Sequence, residues 1–297
     1  MKAYYSDKTI LFLDGQFVRA VDARTDLYSQ TLHYGYGVFE GIRAYQTVHG
    51  TKIFQGLAHF ERLIESCRLM GIPITYSADE LLQISYQVLR RNHLSNAYLR
   101  PLVFCSPNMS LTAAGEVSVM IAAWDWGKYF TSPSLRVCFS SYQRNNPKSI
   151  RMEAKTCGHY VNSILATTEA KSRGFDEALM LDMNGHVAEA PGANFFMEKD
   201  GALITPRTGH ILPGITRRVV MEICHELEIP VFERDIQPEE LENAESAFFC
   251  GTAAEITPIE SIEGETLGKP WQKSLGRVVQ EAYQCLTLDR NYSYVIV

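Results

Sequence analysis

The order of apolar runs, turn residues and helix caps predicts an α+β (irregular α/β) chain of two domains. Short strand-like runs bounded by turn dipeptides recur along it, capped amphipathic segments lie among them, and the two kinds mix without strict strand–helix alternation. At 297 residues with 46% hydrophobic content, the chain is long enough for one large core or two ordinary ones.

The first strands are Ile10-Leu-Phe-Leu and Gln16-Phe-Val, joined at Asp14-Gly15, a hairpin dipeptide. Residues 38–54 give further strand around His49-Gly50. A helix is predicted over 59–70, stopped by Gly71, with Leu63, Ile64 and Cys67 as its inward stripe and Arg62 near its start. Ser77-Ala-Asp-Glu80 is a capping box for a second helix reaching about residue 92. Residues 96–105 and 116–124 read as neighbouring strands, on the first of which Tyr98 and Arg100 point to one side. The small, polar stretch between them is a loop. The run Trp126-Gly-Lys-Tyr129-Phe-Thr-Ser-Pro133 changes the chain's character, so the domains are set at 1–125 and 135–297, with a linker at 126–134. Beyond it come a strand at 135–140, a strand at 150–154, a helix over 159–173 facing inward through Val161, Ile164, Leu165 and Thr168, and a meander over 177–206. A helix ending near residue 227, a strand at 231–234, a short helix at 238–244, a strand at 247–250 and a terminal helix from about residue 271 complete the series.

Composition excludes several functions. A formal charge of −6 leaves no basic footprint for nucleic acid, and no run of basic residues suits an anionic membrane. The first residues lack the apolar stretch of a secretion signal, and no window is apolar enough to span a bilayer. The 7 cysteines are scattered and odd in number, which fits free thiols in a reducing cytoplasm. The histidines show no metal-ligand spacing, and no nucleophile elbow, phosphate-binding P-loop or dinucleotide fingerprint is present.

The chemistry gathers elsewhere. Lys155, in Lys155-Thr-Cys-Gly-His-Tyr160, stands between a predicted strand and a helix start, where an amine can point into a cleft. A lone lysine is ordinarily a solvated group; at a junction, partial desolvation favours nucleophilic attack and proton transfer. Tyr160 lies in the helix's first turn. Glu189 occupies a corner of small residues, Ala188-Glu189-Ala-Pro-Gly, where an acid can approach a flat ring. Pro213-Gly214-Ile215-Thr216 opens a helix whose free N–H groups and dipole suit a phosphate. Gly251-Thr252-Ala253 offers a second turn with donors, and Arg62 a cation. A Schiff-base lysine, an acid for a ring nitrogen and a phosphate cup are the parts of a pyridoxal phosphate site.

Eight ordered segments carry a resemblance: Leu32-His-Tyr34-Gly-Tyr-Gly-Val-Phe39-Glu-Gly41-Ile-Arg43, His59-Phe-Glu-Arg62-Leu, Ala97-Tyr98-Leu-Arg100-Pro, Ala123-Trp-Asp-Trp126-Gly-Lys-Tyr129, the Lys155 and Glu189 segments, Leu212-Pro-Gly-Ile-Thr216-Arg, and Gly251-Thr-Ala-Ala-Glu-Ile-Thr-Pro258. Together they resemble the branched-chain amino acid aminotransferases of the class IV (fold-type IV) pyridoxal phosphate enzymes, over roughly residues 32–258. The resemblance implies two domains with the active site in the cleft between them. It implies transamination of L-leucine, L-isoleucine and L-valine with 2-oxoglutarate. Lys155 is then the Schiff-base lysine, Glu189 the ring-nitrogen partner and Tyr160 the phenolate partner. Arg62, Ile215, Thr216, Gly251 and Thr252 hold the phosphate. Tyr98, Thr252 and Ala253 receive the substrate carboxylate, Phe39, Trp126, Tyr129 and Tyr160 line the side-chain pocket, and Arg100 meets the distal carboxylate of glutamate. Tyr34 and the 106–114 loop complete a neighbour's site, which implies a homodimer or a multiple of it. A D-amino acid aminotransferase or an aminodeoxychorismate lyase shares Lys155 and Glu189, and a non-catalytic pyridoxal phosphate carrier needs only the lysine and the phosphate cup.

Overall fold

In a computed structural model of the chain, the described residues are 4–113, 115–127, 129–130 and 132–290. Residue 114 of the predicted loop and residues 128 and 131 of the predicted linker lie outside them. Strands β1 (Ile10–Leu13) and β2 (Gln16–Arg19) form the expected hairpin, with Asp14 and Gly15 at φ 45° and 83°, the left-handed pair a tight hairpin turn requires. A short helix, α1 (Gln30–Tyr34), precedes β3 (Gly37–Phe39), β4 (Ile42–Thr47) and β5 (Gly50–Ile53). Helix α2 (Gly56–Met70) starts three residues ahead of its predicted place and ends at left-handed Gly71. Its inward stripe is Phe60, Leu63 and Cys67, with Ile64 at the margin. Helix α3 (Ala78–Arg91) begins with the complete Ser77–Glu80 capping box. Strands β6 (Ala97–Cys105) and β7 (Val117–Trp124) follow. The seven strands make one sheet, ordered β2-β1-β7-β6-β4-β5 with β3 also on β6. Ile42, Leu99, Val103 and Ile121 from the sheet pack with Phe60, Leu63, Leu81 and Val88 from the two helices.

The second sheet is built from β8 (Leu135–Phe139), β9 (Glu177–Leu181), β10 (Val187–Glu189), β11 (Asn194–Lys199), β12 (Ala202–Thr205), β13 (Val231–Glu233), β14 (Ser246–Gly251), β15 (Glu255–Ile262) and β16 (Glu265–Thr266). Its order is β10-β9-β8-β15-β14-β11-β12-β13, with β16 on β15; β10 pairs with β11 as well as β9, so six strands close on themselves. Leu135, Val137, Leu179, Phe195, Met197 and Phe249 make its core. Around it lie α4 (Tyr160–Ser172), α5 (Ile215–Glu226) and α6 (Leu275–Thr287).

Contacts divide the chain into two units, Met1–Gly127 with Ala154–His159, and Lys128–Glu153 with Tyr160–Val297. The segment that carries Lys155 thus clusters with the first. Two local expectations are corrected. Residues 150–154 form bends and a turn, not a strand, because the backbone around them closes local turns, with the Ile150 N–H donating to the Asn146 carbonyl at 3.2 Å and the Thr156 N–H to the Ala154 carbonyl at 3.0 Å. On α4 the inward residues are Ser163, Ala166 and Ala170, while Val161, Ile164 and Leu165 are 60%, 64% and 43% exposed. Small residues let α4 lie close on β8 and β9, so the bulkier stripe faces away. No helix among the described residues is long and apolar enough to cross a membrane, and all the cysteines are free thiols.

Candidate active site

In the first unit, the chain passes from β3 to β4 through Glu40 and Gly41. Glu40 is fully buried, and its partners explain how an acid is tolerated there. Arg62 donates from Nε to Oε1 at 2.6 Å and from Nη2 to Oε2 at 2.9 Å, and His59 donates from Nδ1 to Oε2 at 2.8 Å. His59 and Arg62 stand three apart on α2, hence on one face. Burial pushes the Glu40 carboxyl up, but the charge and hydrogen bonds of Arg62 and His59 outweigh it and hold the group far below the usual carboxylate range. His59 is pushed down, by burial first and by Arg62 and Lys155, against the pull of Glu40. The imidazole is therefore neutral at pH 7, with its Nδ1 proton turned to the acid.

One turn beyond Arg62, Ser66 Oγ accepts the Lys155 N–H at 3.0 Å. The Lys155 carbonyl accepts from the Phe39 N–H at 3.1 Å, and the Gly35 carbonyl from the Gly158 N–H at 3.0 Å. Gly35, at φ 67°, closes α1 so near this segment that a Cβ on it would lie 2.7 Å from the Gly158 Cα. Lys155 Nζ is 5.2 Å from the Phe39 ring centroid, and Arg100 Cζ is 4.8 Å from the same ring. On β6, Tyr98 is buried edge-on against Trp126, ring centroids 4.4 Å apart. Its hydroxyl fills the place of a missing side chain: a Cβ on Gly41 would lie 1.9 Å from it. Arg100 Nη2 is 3.5 Å from that hydroxyl, and Arg100 Nε is buried with no hydrogen-bond partner among the described residues. An arginine with donor capacity left over an aromatic ring is equipped to take a carboxylate. Phe39, Arg62, Tyr98, Arg100, Trp126 and Lys155 are thus gathered in this unit. Tyr34 is 45% exposed, its hydroxyl donating to the Met109 carbonyl at 3.3 Å.

In the second unit, strand register sets three residues abreast: Glu189 opposite Asn194, and Asn194 opposite Cys250. Glu189, 4% exposed, is held by charge and by donors. Arg144 Nη2 lies 2.9 Å from Oε1, the Leu212 N–H donates to Oε1 at 3.2 Å, and Asn194 Nδ2 donates to Oε2 at 3.0 Å. Asn194 Nδ2 also donates to the Leu212 carbonyl at 2.9 Å, just ahead of α5. The N-cap of α5 is Gly214, which supplies no side-chain acceptor, so Ile215 and Thr216 open the helix with backbone donors uncapped by a side chain. A Cβ on Gly214 would lie 2.0 Å from Asn194 Oδ1, and one on Gly251 would lie 3.3 Å from the Gly192 carbonyl. Gly251 ends β14 beside Cys250, and Thr252 and Ala253 turn the chain into β15. Tyr160 is the first residue of α4. Tyr129 is 42% exposed, its hydroxyl 4.0 Å from where a Gly192 Cβ would stand.

These residues fit pyridoxal phosphate. A buried carboxylate held by three donors suits a protonated ring nitrogen, and a glycine-capped helix start beside it suits a phosphate. The motif reading lacks Glu40, His59, Ser66, Arg144 and Asn194 as contributors. Glu40 and His59 were within reach: an acid between a strand's apolar residues, and a histidine three residues before an expected phosphate arginine, are paired-group signals. Arg144, in a polar coil, carries no such signal.

The family profile described as amino-transferase class IV matches residues 37–262. A curated branched-chain-amino-acid aminotransferase of Pseudomonas aeruginosa is 42% identical over 280 residues, covering 92% of this chain and 91% of its own. Among solved structures, the branched-chain aminotransferase of Thermoproteus uzoniensis with norvaline superposes with a TM-score of 0.92 at 39% identity, covering 97% of each chain. A branched-chain amino acid aminotransferase from T.th., complexed with N-(5'-phosphopyridoxyl)-L-glutamate, does so at 0.89 and 34%, covering 97% of this chain and 96% of its own.

Proposed function

Because the chain belongs to the class IV aminotransferase family, we propose that it moves the amino group of L-leucine, L-isoleucine and L-valine onto 2-oxoglutarate, with pyridoxal 5′-phosphate as cofactor. The observation that carries this reading is Glu189, a buried anion fixed by Arg144, Asn194 and the Leu212 N–H beside the glycine-capped start of α5. Pyridoxal phosphate, when bound, supplies an electron sink for the negative charge that develops at the substrate Cα. Lys155 Nζ carries the cofactor at rest, takes the Cα proton of the donor in one half-reaction and returns a proton to the Cα of the acceptor in the other. Positioned proton transfer of this kind is worth roughly 10²–10⁴-fold.

Glu189 keeps the proton on the ring nitrogen, and Tyr160 donates to the phenolate oxygen. Arg62, set by Glu40, would hold the phosphate, as would the N–H groups of Ile215 and Thr216, the Gly251 turn and the Thr252 hydroxyl. Tyr98 and the Thr252-Ala253 turn orient the α-carboxylate. Phe39, Trp126, Tyr129 and Tyr160 form an aromatic wall that excludes water from an aliphatic side chain. Arg100 meets the second carboxylate that 2-oxoglutarate brings into the same pocket. The family likeness supports a homodimer or a multiple of it, with Tyr34 and the 106–114 loop serving a neighbour's site. The free cysteines favour a cytoplasmic location.

The test is a donor panel with the purified protein: L-leucine, D-alanine and aminodeoxychorismate, side by side. Turnover of L-leucine with 2-oxoglutarate, lost in Lys155→Ala, is expected. Turnover of D-alanine without L-leucine would overturn the substrate assignment, and a protein that neither colours with nor responds to added cofactor would overturn the chemistry.

A further inference from the structure

Arg144 has no place among the roles above, yet it is 6% exposed and lies against Glu189. It sits in the coil after β8, tied to the end of β9 by its backbone N–H, which donates to the Leu181 carbonyl at 2.8 Å. Its Nη1 reaches the first turns of α4, with Asn162 Oδ1 at 3.3 Å and Ser163 Oγ at 3.5 Å. Ser163 Oγ donates onward to the Pro191 carbonyl at 2.6 Å, and Asn162 Nδ2 to the Gln143 carbonyl at 3.0 Å. Its Nε is buried without a hydrogen-bond partner among the described residues. On the far side, Glu189 continues through Asn194 to Leu212, where α5 begins. One polar chain therefore runs from the helix that Tyr160 opens, through Arg144, Glu189 and Asn194, to the phosphate-binding helix. A buried carboxylate lacking a cation reverts to its neutral form, in which one oxygen becomes a donor and no longer attracts a proton on a neighbouring nitrogen.

We propose that Arg144 is a positioning residue for the cofactor: anchored by Asn162 and Ser163 at the start of α4, it keeps Glu189 ionised and aimed. This rests on the reading that Glu189 partners the ring nitrogen. A fixed cation behind the acid also shares its charge. The acid thus stabilises the ring proton without fully withdrawing it, which keeps the ring an electron acceptor throughout turnover.

The experiment compares full-length wild type, Arg144→Gln, Arg144→Lys, Glu189→Gln and the double variant R144M/E189Q. The readouts are the cofactor dissociation constant by equilibrium dialysis, the thermal midpoint without cofactor, and kcat and KM for L-leucine. R144Q is expected to lose about 10–100-fold in both cofactor affinity and kcat, with KM for L-leucine changed less than about threefold, and R144K to recover about tenfold of the loss. R144M/E189Q, which buries no lone charge, is expected to match E189Q within about threefold, because Arg144 acts only through Glu189. That comparison stands even if R144Q does not fold. Wild-type kcat and cofactor affinity in R144Q, whatever its thermal midpoint, would overturn the proposal, as would a double variant about tenfold worse than E189Q. A wild-type protein that binds no pyridoxal phosphate would instead overturn the cofactor assignment, and this inference with it.

Discussion

Replacing Glu40 by glutamine tests how Arg62 is held. The Glu40 side chain is 0% exposed and that of Arg62 14%, with bonds of 2.6 Å and 2.9 Å between them and a third, at 2.8 Å, from His59. Removing one member of a buried ion pair leaves the other uncompensated, at about 3–5 kcal/mol. Glutamine keeps one acceptor oxygen, so the lower end, about 3 kcal/mol, is expected at pH 7. The pH dependence carries the sign. The folded Glu40 carboxyl lies far below its ordinary value, so its stabilisation is complete above the unfolded value of 4.5 and declines as pH falls towards the folded one. Below 4.5 the advantage of wild type over E40Q should therefore shrink by about 1.4 kcal/mol per pH unit. Urea unfolding of both proteins in cofactor-free form, at fixed concentration from pH 7 down to about pH 3.5, reads it directly. A gap under about 1 kcal/mol at pH 7, or a gap that widens on acidification, would refute the account of this cluster.

Two further substitutions probe the site. Arg100→Gln should cut kcat/KM for 2-oxoglutarate by about 10²–10³-fold while leaving the L-leucine half-reaction within about threefold; equal losses in single-turnover measurements would remove Arg100 from distal carboxylate recognition. Gly214→Ala keeps an ordinary backbone, φ −67°, but puts a Cβ 2.0 Å from Asn194 Oδ1. Far-UV circular dichroism should be unchanged, while the displaced amide loses two hydrogen bonds and cofactor affinity falls about tenfold; an unchanged dissociation constant would sink the proposed link between Asn194, α5 and the cofactor.

Much of the fold is legible where local chemistry dictates it. Asp14-Gly15 demands its turn, Ser77 and Glu80 cap each other, and Gly71 stops α2, each a signal only a few residues long. Strand β15 is harder, because Pro258 falls inside it and a proline argues against a central strand; here it lies opposite Phe248 on β14, one residue before the pairing with β8 begins at Ile259. The inward face of α4 misleads for a related reason. An apolar stripe marks burial only when bulk is what the sheet accepts, and β8 and β9 take Ala166 and Ala170 instead. The site divides the same way. Lys155 and Glu189 stand at element junctions, where a functional group is recognisable from its neighbours. Asn194 acts through strand register and Arg144 from a coil tied back to the end of β9, and sequence spacing encodes neither.

Three hydrogen bonds hold the main chain around Lys155: its N–H to the Ser66 hydroxyl on α2, its carbonyl to the Phe39 N–H and, three residues on, the Gly158 N–H to the Gly35 carbonyl. The main chain at this post is held on both sides. In the proton-transfer role proposed for Lys155, reach then comes from rotation about the bonds of its own four methylenes, like a crane arm on a bolted footing.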